Sequence, residues 1–173
     1  MANTFIKIAS VTVGSGGTAS IDFTSIPQTY TDLCVFASLR SADPENSRAN
    51  IEVTLNGSNT GYSQRLLFGS DGTAGSASNA LSSMQWFFAN KNGTTASTFS
   101  NGTIYIPNYA GSNNKSVALD SVTENNSTTG SQLAMTAGFW SNTSAITSIK
   151  LKDTNSFNLL QYSTATLYGI SNT

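Results

Sequence analysis

The sequence predicts an all-β domain, an antiparallel β-sandwich of jelly-roll type. Three observations carry that expectation: apolar residues recur with a period of two, turn dipeptides interrupt them at short intervals, and no helical stripe persists for three turns. Successive side chains of a strand point to opposite faces, so each alternating run reads as a half-buried strand. Many short strands of this kind make a sandwich, with a closed barrel as the alternative.

Taken in order, residues 5–13 bring Phe5, Ile6, Ile8, Val11 and Val13 without clean alternation, because Lys7 falls on the Phe5 face. Such a segment, taken as residues 2–13, suits a strand shared across an interface; an ordinary first strand is the other reading. Ala19, Ile21 and Phe23 alternate with Ser20, Asp22 and Thr24, and Leu33, Val35, Ala37 and Leu39 with Cys34, Phe36 and Ser38. Ile51, Val53 and Leu55 follow the same rule. Met84, Trp86 and Phe88 are expected on one face, as are Leu133, Met135, Ala137 and Phe139. Shorter candidates lie at residues 64–68, 103–106, 116–122, 146–151 and 165–170. Between them stand Asn56-Gly57, Asp71-Gly72, Asn92-Gly93 and Asn101-Gly102, which readily adopt the positive φ of tight turns. Residues 69–79 and 124–131, rich in Gly, Ser, Ala, Asn and Thr, read as surface loops. No repeat or composition break divides the chain, so residues 1–173 read as a single domain.

Composition narrows the chemistry. Only 10% of residues are charged, against roughly 25% in an ordinary globular domain. With a net charge of −1 there is no basic field to follow phosphates, so no nucleic-acid partner is expected, and none on an anionic membrane. Nine Phe, six Tyr and two Trp exclude a disordered chain. The first residues contain no continuous apolar stretch of the kind a secretory signal needs.

The chain has no histidine and one cysteine. That removes the Ser-His-Asp and Cys-His arrangements, the commonest general base and any His/Cys zinc site. No glycine-rich phosphate cradle appears, and no cofactor or metal is expected. Two carboxylate pairs are close in sequence, Asp43 with Glu45 and Asp120 with Glu124. Sequence proximity does not supply the geometry of a glycosidase, so they read as solvated loop or strand-end acids. Cys34, mid-strand without a neighbouring base, reads as a structural thiol. Among the aromatics, Trp86, Tyr109 and Trp140 are the candidates for stacking on a ligand such as a glycan, beside a reading as core or interface. Trp140 and Phe139 fall on opposite faces, so one of them is expected to leave the core.

A sheet protein with few charges lacks a common defence of exposed strand edges. A Ser/Thr/Asn surface, meanwhile, hydrogen-bonds without the cost of burying ions. Both suit contact with other protein copies. The longer motifs point the same way. Ser25-Ile-Pro-Gln-Thr-Tyr-Thr-Asp-Leu33, Ile51-Glu-Val-Thr-Leu-Asn-Gly57 and Ile104-Tyr-Ile-Pro-Asn-Tyr109 are followed by Asp120-Ser-Val-Thr-Glu-Asn125 and Gly138-Phe-Trp-Ser-Asn-Thr143, and the chain closes with Tyr162-Ser-Thr-Ala-Thr-Leu-Tyr-Gly-Ile170. Over nearly its whole length this resembles small virion structural proteins of tailed bacteriophages, of capsid decoration, head-fibre or tail-fibre type. The resemblance implies a non-enzymatic virion component. Its expected partners are further copies of itself, as a homotrimer, and the major capsid protein or tail components. A decoration or cement role on the head is the first expectation, and a fibre domain that binds a host surface glycan is the second.

Overall fold

The computed structural model describes residues 4–127 and 129–171, so residues 2 and 3 of the expected interface segment lie outside it. Thirteen strands form among the described residues, with no helix. They are β1 (Phe5–Thr12), β2 (Ile21–Phe23), β3 (Asp32–Ser38), β4 (Arg40–Ser41), β5 (Arg48–Leu55), β6 (Tyr62–Ser70), β7 (Thr73–Leu81), β8 (Met84–Lys91), β9 (Asn101–Ile106), β10 (Lys115–Val122), β11 (Gln132–Trp140), β12 (Ile149–Asp153) and β13 (Thr164–Ile170). Eight of them make one sheet, in the order β1-β13-β3-β9-β10-β11-β6-β7, and five make the other, β2-β12-β5-β8-β4. The pairings are antiparallel apart from a short parallel contact between β4 and β8. Both sheets have free ends, so the fold is an antiparallel sandwich and not a closed barrel.

The alternation read from the sequence places Leu33, Val35, Ile51, Val53, Ile104, Leu119, Leu151 and Leu167 in the core between the sheets. Each such burial contributes about 1.5–3 kcal/mol relative to exposure. At β3 the chain runs on into β4 and so passes from one sheet to the other.

The order of the strands separates a framework from two additions. With β4 and the hairpins β6–β7 and β10–β11 set aside, eight strands remain. Numbered one to eight along the chain, they stand 1-8-3-6 in one sheet and 2-7-4-5 in the other. The two hairpins extend the first sheet outward from β9, side by side.

Three local expectations are corrected. Asn101-Gly102 makes no tight turn but begins β9. Residues 69–79 are no loop: they complete β6, turn at Asp71 and Gly72 with φ of 48° and 81°, and run up β7. Small residues have little strand preference of their own, so β7 exists because β6 supplies its ladder. In β8, Ile51 faces Phe87 while Val53 faces Met84, so the register shifts there. The bulge puts Met84 and Phe87 in the core and separates Met84 from Trp86 and Phe88, which the sequence had placed on its face. Residues 124–131 are a loop as expected, described except for residue 128.

Candidate interaction surface

The two hairpins create the most unusual surface of the molecule. In β11 the inward positions are Gln132, Ala134, Thr136, Gly138 and Trp140; Leu133, Met135, Ala137 and Phe139 face outward. Met135 is 63% exposed, Leu133 53% and Phe139 39%, and Leu67 on the neighbouring β6 is 64% exposed. Register aligns them in rows across the sheet: Val122 with Leu133, Asp120 with Met135 and Leu67, Ala118 with Ala137 and Arg65. The result is an open groove of about 800 Å³, floored by Ala118 and Ala137 and bordered by Leu67, Met135, Arg65 and Asp120. Two smaller depressions lie on the same sheet, toward Phe139 and toward Leu133.

Strand β8 explains why the polar residues of these hairpins turn inward. Its partner β4 reaches only Asn90 and Lys91, so the rest of that edge has no strand beside it among the described residues. Side chains from the other sheet serve instead. Ser121 Oγ accepts from the Phe88 N–H at 3.2 Å, Gln64 Oε1 accepts from the Gln85 N–H at 3.1 Å, and Thr136 Oγ1 donates to the Trp86 carbonyl at 3.3 Å. A buried backbone donor left unpaired is costly, so these positions must be polar. The apolar residues of the alternation then face solvent.

The sequence-selected residues divide between core and surface. Tyr109 is fully buried with its hydroxyl on the Pro27 carbonyl, and Trp140 is 1% exposed, stacked on Tyr62 at 6.0 Å. Neither ring can stack on a ligand; both fill the sandwich. Phe139 is the member of its pair that leaves the core, as alternation requires. Trp86 is half-buried, stacked on Phe68 and edge-on to Phe88. In the N-terminal strand Phe5 and Ile6 are exposed, Phe5 lying edge-on to Tyr168. Ile8 and Val11 pack half-buried against the core, and Val13 is a core residue, which removes it from the interface set. A register shift between Lys7 and Ala9 accounts for the broken alternation.

Of the two acidic pairs, Asp43 with Glu45 holds structure, and Asp43 is buried where a solvated acid was expected. Asp43 and Glu45 both contact Lys91 Nζ, at 2.8 and 2.5 Å. Burial by itself would raise the Asp43 carboxyl, but the Lys91 ammonium and the Glu45 N–H outweigh it and hold the group below its ordinary value. Burial would likewise lower Lys91, and its two carboxylates hold it above its ordinary value. Asp120 faces outward from β10, while Glu124 accepts from the N–H groups of Asn125 and Asn126 in the loop. Buried Arg40, which the sequence reading did not single out, ties residues 92–98 to the fold through the carbonyls of Asn92, Thr94, Thr95 and Thr98. Cys34 is a buried free thiol pushed up to about 11 by burial. Among the described residues no group of three or more Cys, Asp or Glu side chains is placed to hold a metal.

The candidate site is therefore an exposed surface on an all-β sandwich, apolar, weakly charged and built on two adjacent hairpins. Comparisons with protein-family models, curated proteins and solved structures give no match.

Proposed function

We propose that this chain is a non-enzymatic structural protein of a tailed-phage virion, a capsid decoration or cement protein that docks on the head as a homotrimer. The observation that carries the reading is the apolar platform of Leu67, Leu133, Met135 and Phe139, raised on two hairpins beside the framework strands. Exposed apolar ground of this extent marks a contact surface. The order 1-8-3-6 and 2-7-4-5 of the eight framework strands supports a jelly-roll reading, a fold that serves in viral capsids and in lectins. That likeness supports the reading by analogy only. The motifs quoted from the sequence supply the link to the phage particle.

Immunogold labelling of intact particles tests the position: label over the head is expected, and label confined to the tail would overturn the decoration role. Stripping the protein from purified heads should leave shells that rupture under osmotic shock, and shells that survive unchanged would remove the cement role. Partly accessible Trp86 favours a second reading, a fibre domain that stacks on a host glycan. In that case Trp86→Ala would weaken adsorption to host cells while the fold persists.

A further inference from the structure

Strand β7 closes one end of the eight-stranded sheet, and its far side has no neighbouring strand among the described residues. Which backbone groups face outward follows from the turn. Ser70 and Thr73 flank a two-residue turn with positive φ at both Asp71 and Gly72. A hairpin of this type closes on a hydrogen-bonded pair, and such pairs alternate along the ladder. Thr73, Gly75, Ala77, Asn79 and Leu81 therefore bond to β6. Ala74, Ser76, Ser78 and Ala80 point their N–H and C=O groups away from it, and no backbone partner is found for them among the described residues.

The residues of β7 read Thr-Ala-Gly-Ser-Ala-Ser-Asn-Ala-Leu, close to a palindrome about Ala77. Laid antiparallel on a copy of itself with Ala77 at the centre, the strand sets Ser76 against Ser78 and Ala74 against Ala80. In that register the residues with outward backbone groups form the hydrogen-bonded pairs, and every one of those groups finds a partner. Ala77 faces its own copy in a non-hydrogen-bonded pair, where a small side chain fits best. Charge matters too, because self-pairing brings each charge close to its twin, and β7 carries none.

We propose that β7 pairs with β7 of a second copy of this chain about a two-fold axis at Ala77, joining two eight-stranded sheets edge to edge. Such a contact is isologous, so it joins β7 strands in pairs and leaves neither β7 edge free to propagate. The strand is about 31 Å long at 3.4 Å per residue, and one strand's width buries less than the about 1,000 Å² of a self-sufficient interface. The pair is accordingly concentration-dependent, and crowding of copies on an array would strengthen it. The inference does not rest on the virion reading, since it concerns two copies of the chain in any setting.

The test uses cysteine substitution in the full chain, whose own Cys34 is buried. Across the axis the two Ala77 Cα atoms stand about 4.5 Å apart, inside the roughly 4.4–6.8 Å range of a disulfide. Oxidised Ala77→Cys protein is expected to run as a disulfide-linked pair on a non-reducing gel. Thr73→Cys should not link, because Thr73 faces Leu81 of the copy; Thr73→Cys with Leu81→Cys should. Ser78→Pro removes an outward N–H and no bond to β6, so it should keep the parent's melting curve and lose the concentration-dependent mass increase in sedimentation. Failure of Ala77→Cys to link, or linking no better than Thr73→Cys, overturns the proposal, as does Ser78→Pro protein that pairs like the parent. Both results are also what an edge reserved for a strand of some other protein would give.

Discussion

Lys91 and Cys34 show how single residues are held. Lys91 is 5% exposed, with the buried Asp43 carboxylate against it. Replacing it by Met would leave that carboxylate buried and uncompensated, a loss of about 3–5 kcal/mol, to be read as a lowered midpoint in urea. The pH dependence has a definite sign. Asp43 lies below its ordinary value of 3.8 in the fold, so its contribution is present above that pH and lost as pH falls through the lower folded value. Lys91 lies above its ordinary 10.5, so its share is present below that pH and lost as pH rises through the folded value. Urea midpoints of the parent and Lys91→Met should therefore differ most between those limits and converge outside them. Cys34, pushed up to about 11, should resist alkylation at pH 8 in the folded protein and react after denaturation. Prompt labelling of folded protein would contradict its burial.

At the scale of elements, β8 depends on side chains where other strands depend on strands. Ser121→Ala removes the acceptor of the fully buried Phe88 N–H and should cost about 1–3 kcal/mol. Substitution of outward-facing Ser116 by Ala should stay within about 0.5 kcal/mol. Equal losses from both would mean that the bond to β8 contributes nothing. Existence and type of most strands were legible, because β3, β5 and β12 keep an apolar face toward the core through their alternation. β7 was not, since its Ser, Ala and Gly residues carry no apolar period, and β6 alone orders them. Nor was the bulge in β8, whose extra residue breaks a period that a sequence reading extends unchanged.

Across the whole molecule, the platform on the hairpins can be altered without touching the core. Met135→Lys and Leu67→Lys change outward side chains and should leave stability within about 0.5 kcal/mol while abolishing binding to stripped heads in a co-sedimentation assay. Undiminished binding would move the docking surface elsewhere, with exposed Phe5 and Ile6 on the opposite edge strand as the next residues to alter.

The sequence by itself determined an all-β chain without histidine, with a weakly charged surface and with a core written as alternating Leu, Val and Ile. Those properties are local: composition decides which chemistry exists, and a period of two decides that a strand has faces. Only the tertiary structure decided which face is inside. Trp86, Tyr109 and Trp140 are alike in sequence, yet Tyr109 and Trp140 fill the core while Trp86 keeps part of its ring in reach. In β11 Leu133, Met135 and Phe139 face solvent while Thr136, turned inward, meets the demand of the open edge of β8 for a partner. That demand comes from a strand some fifty residues away in sequence, and no local pattern records it.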